Sequence, residues 1–396
     1  MLLSVPSRVV ALLWMALLGG YSGTSAAADV HITAEFTPDG KDPNKRTFTN
    51  TTPWSGLCTE GHLQTCIARG VWGIDTTIRG SKRTRGAGQR NNFYFGLPGA
   101  RTLTVSRGDV ERQLRVKIAG IGARFGDTYA SSYTPPNCTV VLSNFGAGNN
   151  TWMRLFHRPD SGEGSMACSG GSSVPGHDGR PIQALDVIYE LEAPNPLEMP
   201  AGTYTGKVSY TIGGAGSDID LGDGVTLTAT ELTLNFTLKV NHYFSVRFPP
   251  GSQRALLAPL GGWAQWTTHG RAPTALIKQL PFQLSSSSLF GVTLRCQHPV
   301  PDGRCAIRNQ TSSSDDVPVD IALTVPGVHD RTLARDLVDY PLTTSMAAPV
   351  LDPQGYVYER PARLAFRVDG APLADMLTHP GSHYAGDVTV IFDADL

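Results

Sequence analysis

Charge is scarce in this chain. Asp, Glu, Lys and Arg supply 17% of the 396 residues, against roughly a quarter in an average globular protein. That shortage excludes coiled coils and long solvated helices. The 33 basic and 34 acidic side chains leave a net charge of −1, so no global field draws the protein to nucleic acid or to an anionic membrane. Signatures of chemistry are missing too. There is no HExxH, no CxxC, no P-loop, no GxSxG elbow, and no GxGxxG between strand and helix. The sequence therefore implies no enzyme, no cofactor and no metal. Long apolar runs are absent: Val9 to Leu18 (VVALLWMALL) is ten residues, well short of the roughly 20 that span a bilayer as a helix. With Arg8 before it and Ser25-Ala26-Ala27-Ala28 after it, that run reads as a secretory signal over residues 1 to 28. The mature chain is expected to start near Asp29, pass through an oxidising compartment and use its six Cys as three disulfides.

What is abundant is Gly, at 43 residues, and Pro, at 28, together with two-residue hydrophobic alternation. Leu114, Val116 and Ile118 alternate with Arg115 and Lys117; Leu232, Leu234, Phe236, Leu238 and Val240 alternate with polar residues; Tyr204, Val208 and Tyr210 form a third set. Val317, Val319, Ile321, Leu323 and Val325 form a fourth. Clean alternation is the mark of an antiparallel strand buried on one face. Many such strands between Gly, Pro, Asn and Ser clusters predict an all-β fold of two tandem Ig-like β-sandwiches. The boundary is placed at Asn241-His242, because a long strand ends at Val240 and a new alternation begins at Phe244, Val246 and Phe248. The expected units are residues 29–240 and 243–396, joined by 241–242. Proximity pairs Cys58 with Cys66, Cys138 with Cys168, and Cys296 with Cys305, although four Cys in the first unit leave three pairings open.

Several clusters are candidates for binding. Arg79 to Arg90 (RGSKRTRGAGQR) carries Arg79, Lys82, Arg83, Arg85 and Arg90 with no acid; it is a candidate surface for anionic glycans, with Trp54 or Trp72 as a stacking platform, and otherwise a solvated loop. The acidic stretch Asp218 to Gly224 (DIDLGDG) alternates Asp with Gly as calcium loops do, but lacks the distal bidentate Glu and reads as a turn. His177 with Asp178, or His379 with His383, could touch a metal but read as solvated loop residues, and Asp315-Asp316 could in principle be a carboxylate pair for acid/base work or a calcium site. The chain closes on HYAGDVTVIF, which places Tyr384, Gly386, Val388, Val390 and Phe392 on one face just before the end. A second unit of Ig-like topology is then one strand short and must expose an apolar groove that demands a partner strand.

The leader, the two β-units and the terminal Tyr-x-Gly-x-Val-x-Val-x-Phe strand resemble subunits of chaperone-usher pili. More closely, the chain is similar to the pilus initiators and tip adhesins of the class 5 (alpha) fimbriae, the family of the cable pilus initiator and the colonisation-factor minor adhesins. The likeness rests on Cys58 with Cys66, Asn137-Cys138 followed by Cys168, Gly202 to Tyr210 (GTYTGKVSY), and Pro361-Ala362-Arg363-Leu364 leading to HYAGDVTVIF. The resemblance implies an exported tip adhesin and assembly initiator at the cell surface, in a fimbrium. A periplasmic chaperone would lend a strand to the groove of residues 243–396, an outer-membrane usher would export the subunit, and the N-terminal extension of the major pilin would replace the chaperone strand. The first unit would bind a host surface receptor, a glycan being favoured. The receptor arginines of the family fall near Pro53-Trp54 and Gly213-Gly214, so they do not carry over, and the Cys of the second unit lie elsewhere than in the family. Val30 to Phe36 (VHITAEF) is either the first strand of the adhesive unit or a donor extension. A purely structural initiator and a secreted β-sandwich hydrolase are the competing readings.

Overall fold

A computed structural model describes residues 26–59, 61–68, 70–85, 88–91, 94–126, 176–311 and 315–394, and the backbone of strands 139–145, 152–157 and 166–169. The leader up to residue 25 and the pair Cys138 and Cys168 lie outside the described residues and side chains.

The fold is all-β. The sheet of the first unit is built on β1 (Ala27–Phe36), β2 (Gly73–Asp75), β3 (Gly80–Lys82), β4 (Arg101–Arg107), β5 (Val110–Phe125), β6 (Arg180–Glu192), β7 (Gly202–Gly213) and β8 (Glu231–Val240). Their neighbours run β1-β8-β7-β4-β5-β6, with β2 and β3 on the far edge of β6. Every pair is antiparallel except β1 and β8, which run parallel in unbroken register from Ala27 opposite Glu231 to Phe36 opposite Val240. Val30, Ile32, Ala34 and Phe36 are buried in the same core as Leu232, Leu234, Phe236, Leu238 and Val240. The first segment is thus a strand of its own unit.

The alternation predicted in β5 holds for Leu114, Val116 and Ile118 and then fails, because Lys117, Ala119 and every residue through Ala123 are buried as well. The cause is a second layer. Leu57, Cys58, Cys66 and Val71 pack on Ala119 and Ile188, covering the outer face of β5 and β6. This small outer core is stapled by the disulfide Cys58–Cys66, with Cα atoms 5.9 Å apart, across the short helix α1 (Leu63–Ala68).

The second unit has its own core. Its main sheet runs β9 (Phe244–Arg247), β10 (Ala275–Ser286), β14 (Val357–Asp369), β13 (Asp316–Thr324) and β12 (Cys305–Asn309), all antiparallel, while β11 (Gly291–Cys296) pairs with the terminal strand β15 (Val388–Asp393) in a separate two-stranded ladder. Cys296–Cys305, with Cα atoms 5.3 Å apart, ties the ladder to the main sheet. Two further short helices, α2 (Ala264–His269) and α3 (Gly370–Leu377), have no counterpart in the sequence reading. Among the described residues no helix is long and apolar enough to cross a membrane.

His242 sits between the two sheets. Its Nε2–H donates to the Met199 carbonyl at 2.7 Å, its Nδ1 accepts from the Ser287 hydroxyl at 3.0 Å, and its ring meets Phe36 edge-on at 6.2 Å. A neutral imidazole satisfies both bonds at once, and burial lowers its pKa, only partly opposed by the Met199 carbonyl.

Candidate functional site

The terminal segment changes sheets midway. Tyr384 and Ala385 pair with Asn309 and Arg308 on β12, and from Val388 the chain joins β11 instead, Cys296 opposite Val388 and Gly291 opposite Asp393. Gly386 stands at the crossing, where a Cβ atom would lie 2.7 Å from the Ala306 carbonyl oxygen; no other residue lets the two backbones approach so closely. The Gln297 side-chain oxygen accepts from Asp387 N–H at 3.0 Å and the Gln297 backbone N–H donates to the Asp387 carbonyl at 2.9 Å, fixing the turn.

Among the described residues β15 pairs along one side, with β11, and β9 pairs along one side, with β10. No strand among the described residues pairs with the second edge of either. Tyr384, Val388, Val390 and Phe392 face the core as the sequence predicts, yet all are half-buried where equivalent residues of β10 and β13 are covered. Phe244 and Val246 of β9 are half-buried too. The Phe282 ring joins the two margins, 5.8 Å from Phe392 and 4.9 Å from Phe248, which is 42% exposed. Leu256, Leu260 and Trp263 add exposed apolar surface after β9. Two strand edges thus lie at the margins of a core in which Phe282 is buried and Phe248 and Phe392 are only partly covered.

In the first unit the basic segment does not form a free row of cations. Arg79 is spent on Asp75, at 2.6 and 2.8 Å. Lys82 is 2% exposed, and its ammonium donates to the carbonyls of Arg90, Leu221 and Asp223 at 2.9, 2.8 and 2.7 Å. Burial lowers its pKa to about 8, against the pull of Asp223. Arg90 holds Asp220 through both terminal nitrogens and Asp223 through Nε; Arg101 holds Asp218. Arg85 pairs with Asp178 at 3.0 Å in the open, and Arg83 is exposed. The basic segment and the acidic loop are halves of one network, and this explains both. The Asp of DIDLGDG are ion-pair partners, and no metal-ligating cluster occurs among the described residues. Asp316 likewise pairs with Arg308, and Lys82 is closed to any receptor.

Trp54 and Trp72 do come together, ring centroids 3.9 Å apart and 24° from parallel. Each has one face spent on the other, and Trp54 also covers the Cys58–Cys66 core. Asp186 is fully buried against the 56–57 turn, with Oδ2 accepting from Leu57 N–H at 2.5 Å and Oδ1 without a hydrogen-bond partner. Burial pushes its pKa up to about 7, against the Leu57 N–H. No local pattern marks this carboxyl, which lies in regular register opposite Gly122, between the two register shifts of β6.

Two further groups escaped the sequence reading. Arg46 and Tyr189 border a cavity of about 220 Å³ beside β1, described below.

No protein-family model matches the chain, and no curated protein matches it. Among solved structures it is similar to a chaperone-tip adhesin complex of CFA/I fimbriae biogenesis (11% identity, TM-score 0.28, 93% of this chain and 97% of that chain). It is also similar to CfaE, the adhesive subunit of CFA/I fimbria of enterotoxigenic Escherichia coli (12% identity, TM-score 0.26, 93% and 92%). A third is the CsuC-CsuE chaperone-tip adhesion subunit complex from archaic chaperone-usher pili of Acinetobacter baumannii (10% identity, TM-score 0.22, 93% and 98%).

Proposed function

We propose that this chain is a non-enzymatic tip subunit of a chaperone-usher fibre, exported through the periplasm to the cell surface. Residues 243–396 are the pilin unit, which accepts a strand first from a periplasmic chaperone and then, at the outer-membrane usher, from the next pilin. Residues 29–240, joined through 241–242, are the adhesive unit that meets a host receptor. The observation that carries the reading is the pair of strand edges at β9 and β15, which in this reading flank a slot for one extended chain. Its half-buried side chains Val388, Val390 and Phe392 gain about 1 kcal/mol each on full burial, half of the roughly 1.5–3 kcal/mol of a complete transfer, and an inserted strand also satisfies the open edge of β15 by main-chain hydrogen bonds. The pairing of β1 within its own sheet supports a tip position, since a shaft subunit needs a free donor segment.

The test is capture from periplasm in the native host with amide exchange as readout. The full chain is expected to co-purify 1:1 with a small chaperone, and the β15 amides that point away from β11 to become protected only in that complex. Val390→Asp is expected to abolish capture while leaving the first unit folded. A chain that purifies alone with those amides already protected refutes the proposal. The self-neutralised basic segment also keeps open a structural initiator without receptor. Deletion of residues 29–240 separates the two: an adhesin loses cell binding while fibres still assemble.

A further inference from the structure

Beside β1 the first unit encloses a cavity of about 220 Å³ whose wall comes from three separate stretches: Ile32 and Ala34, the segment Arg46 to Asn50, and Tyr189 to Pro194 at the end of β6. Its floor is apolar, made by Ile32, Ala34, Phe48 and Leu191. The polar groups at its rim can be assigned from their hydrogen bonds. The Thr52 hydroxyl donates to the Thr33 carbonyl at 3.1 Å, so the 3.0 Å contact between Thr52 Oγ1 and the Tyr189 phenol has the phenol as donor. The phenol accepts in turn from Asn50 Nδ2 at 2.6 Å. Asn50 Oδ1 is engaged by Thr52 N–H at 2.9 Å. The asparagine is therefore pinned with its oxygen turned inward and one amide hydrogen left over. Arg46 lines the cavity and is exposed, with Nη2 beside Gly355 of the second unit, and among the described residues it makes no ion pair or side-chain hydrogen bond, unlike Arg79, Arg85 and Arg90 of the basic segment.

Donors thus predominate at the mouth of an apolar pocket the size of one small ring. We propose that this cavity binds a small organic carboxylate with a compact apolar body, the carboxylate on Arg46 and Asn50 and the body on Phe48 and Leu191. The same chemistry belongs to an acidic sugar and to a simple aromatic or aliphatic acid. Lys cannot replace Arg here without loss, because a planar guanidinium grips a carboxylate through two parallel bonds. Tyr189 is the positioning residue: its phenol fixes Asn50. The inference deepens the adhesive reading of residues 29–240 by moving the anion site away from residues 79–90, but it does not depend on adhesion.

The test is calorimetric titration of the purified full chain with N-acetylneuraminate, glucuronate and benzoate, each as its sodium salt, against sodium chloride at equal ionic strength. At least one carboxylate is expected to bind, and its affinity to fall about tenfold to a hundredfold in Arg46→Gln, the loss of a charge-assisted bond. Arg46→Lys is expected to recover part of it, and Tyr189→Phe to weaken binding with no change in its salt dependence. The double variant Arg83→Glu, Arg85→Glu is expected to bind as the native chain does. Sugar acids binding and benzoate failing assigns the sugar source; the reverse assigns the simple acid. No binding of any of the three, or binding unchanged in Arg46→Gln, overturns the proposal. Because Arg46 is exposed its replacement is not expected to unfold the chain, and circular dichroism of each variant checks this. Binding without cell adhesion sustains the pocket and refutes the adhesin; adhesion without binding does the opposite.

Discussion

Replacing Gly56 by Ala tests the outer core of the first unit more sharply than any change to its disulfide. Gly56 has φ +65°, and a Cβ atom there would overlap both carboxylate oxygens of Asp186. Two costs add. A left-handed Ala costs roughly 1–2 kcal/mol, and pushing Asp186 aside loses its bond to Leu57 N–H, about 1.5–3 kcal/mol for an interaction with a charged group. Above the Asp186 pKa, at about pH 8, the expected destabilisation is about 2.5–5 kcal/mol. Gly61 supplies the control, because it has φ +79° with nothing within 4 Å of its would-be Cβ; Gly61→Ala is expected to cost only the backbone term. Urea unfolding followed by fluorescence of the Trp54–Trp72 stack measures both. In the double variant Gly56→Ala, Asp186→Ala the overlap is gone, so the two changes are expected to cost less together than their sum. Equal costs for Gly56→Ala and Gly61→Ala, or strict additivity in the double variant, would refute the claim that Asp186 and the 56–58 turn are locked against each other.

Two pH effects follow from buried groups. His242 is neutral in the folded state with its pKa lowered; a base depressed on folding contributes stability above its unfolded pKa and loses it as pH falls. Unfolding midpoints are expected to drop below about pH 6.5, and to drop less in His242→Gln. Asp186 works in the other direction, its pKa being raised to about 7. The stability it contributes is fully present below the usual carboxylate range and fades as pH rises toward 7, by an amount on the order of 4 kcal/mol for about three units; in Asp186→Asn that decline between pH 4 and 7 is expected to vanish.

The two-sheet division and the core of β8 were legible because Leu232 to Val240 is covered on one face, and alternation reports one-sided burial. Beyond Ile118 in β5 the same logic fails, since the Cys58–Cys66 turn buries the second face with residues some fifty positions upstream, where no periodicity records it. The inward face of the terminal segment was legible for a related reason: Tyr384, Val388, Val390 and Phe392 alternate as a core face and pack, partly buried, against the second core. The charges misled. Local sequence shows five cations between Arg79 and Arg90, whereas the partners of Arg90, Asp220 and Asp223, lie some 130 residues away, and Asp178, the partner of Arg85, some 90. The Arg46 cavity stayed hidden because no one of its three stretches carries a pattern; it exists only once β1 and the end of β6 are side by side.

The ladder joining β1 to β8 bears on how the molecule carries load. Along β8, hydrogen bonds to β1 on one flank and to β7 on the other span the same ten residues, and the strand leaves the sheet at Val240 directly into the second unit. A pull applied through Asn241 therefore acts along β8 and loads both ladders in shear, so that many bonds must break together. An edge strand ending there would instead peel open one bond at a time. The junction thus leaves the first unit from a strand held along its whole length on both flanks.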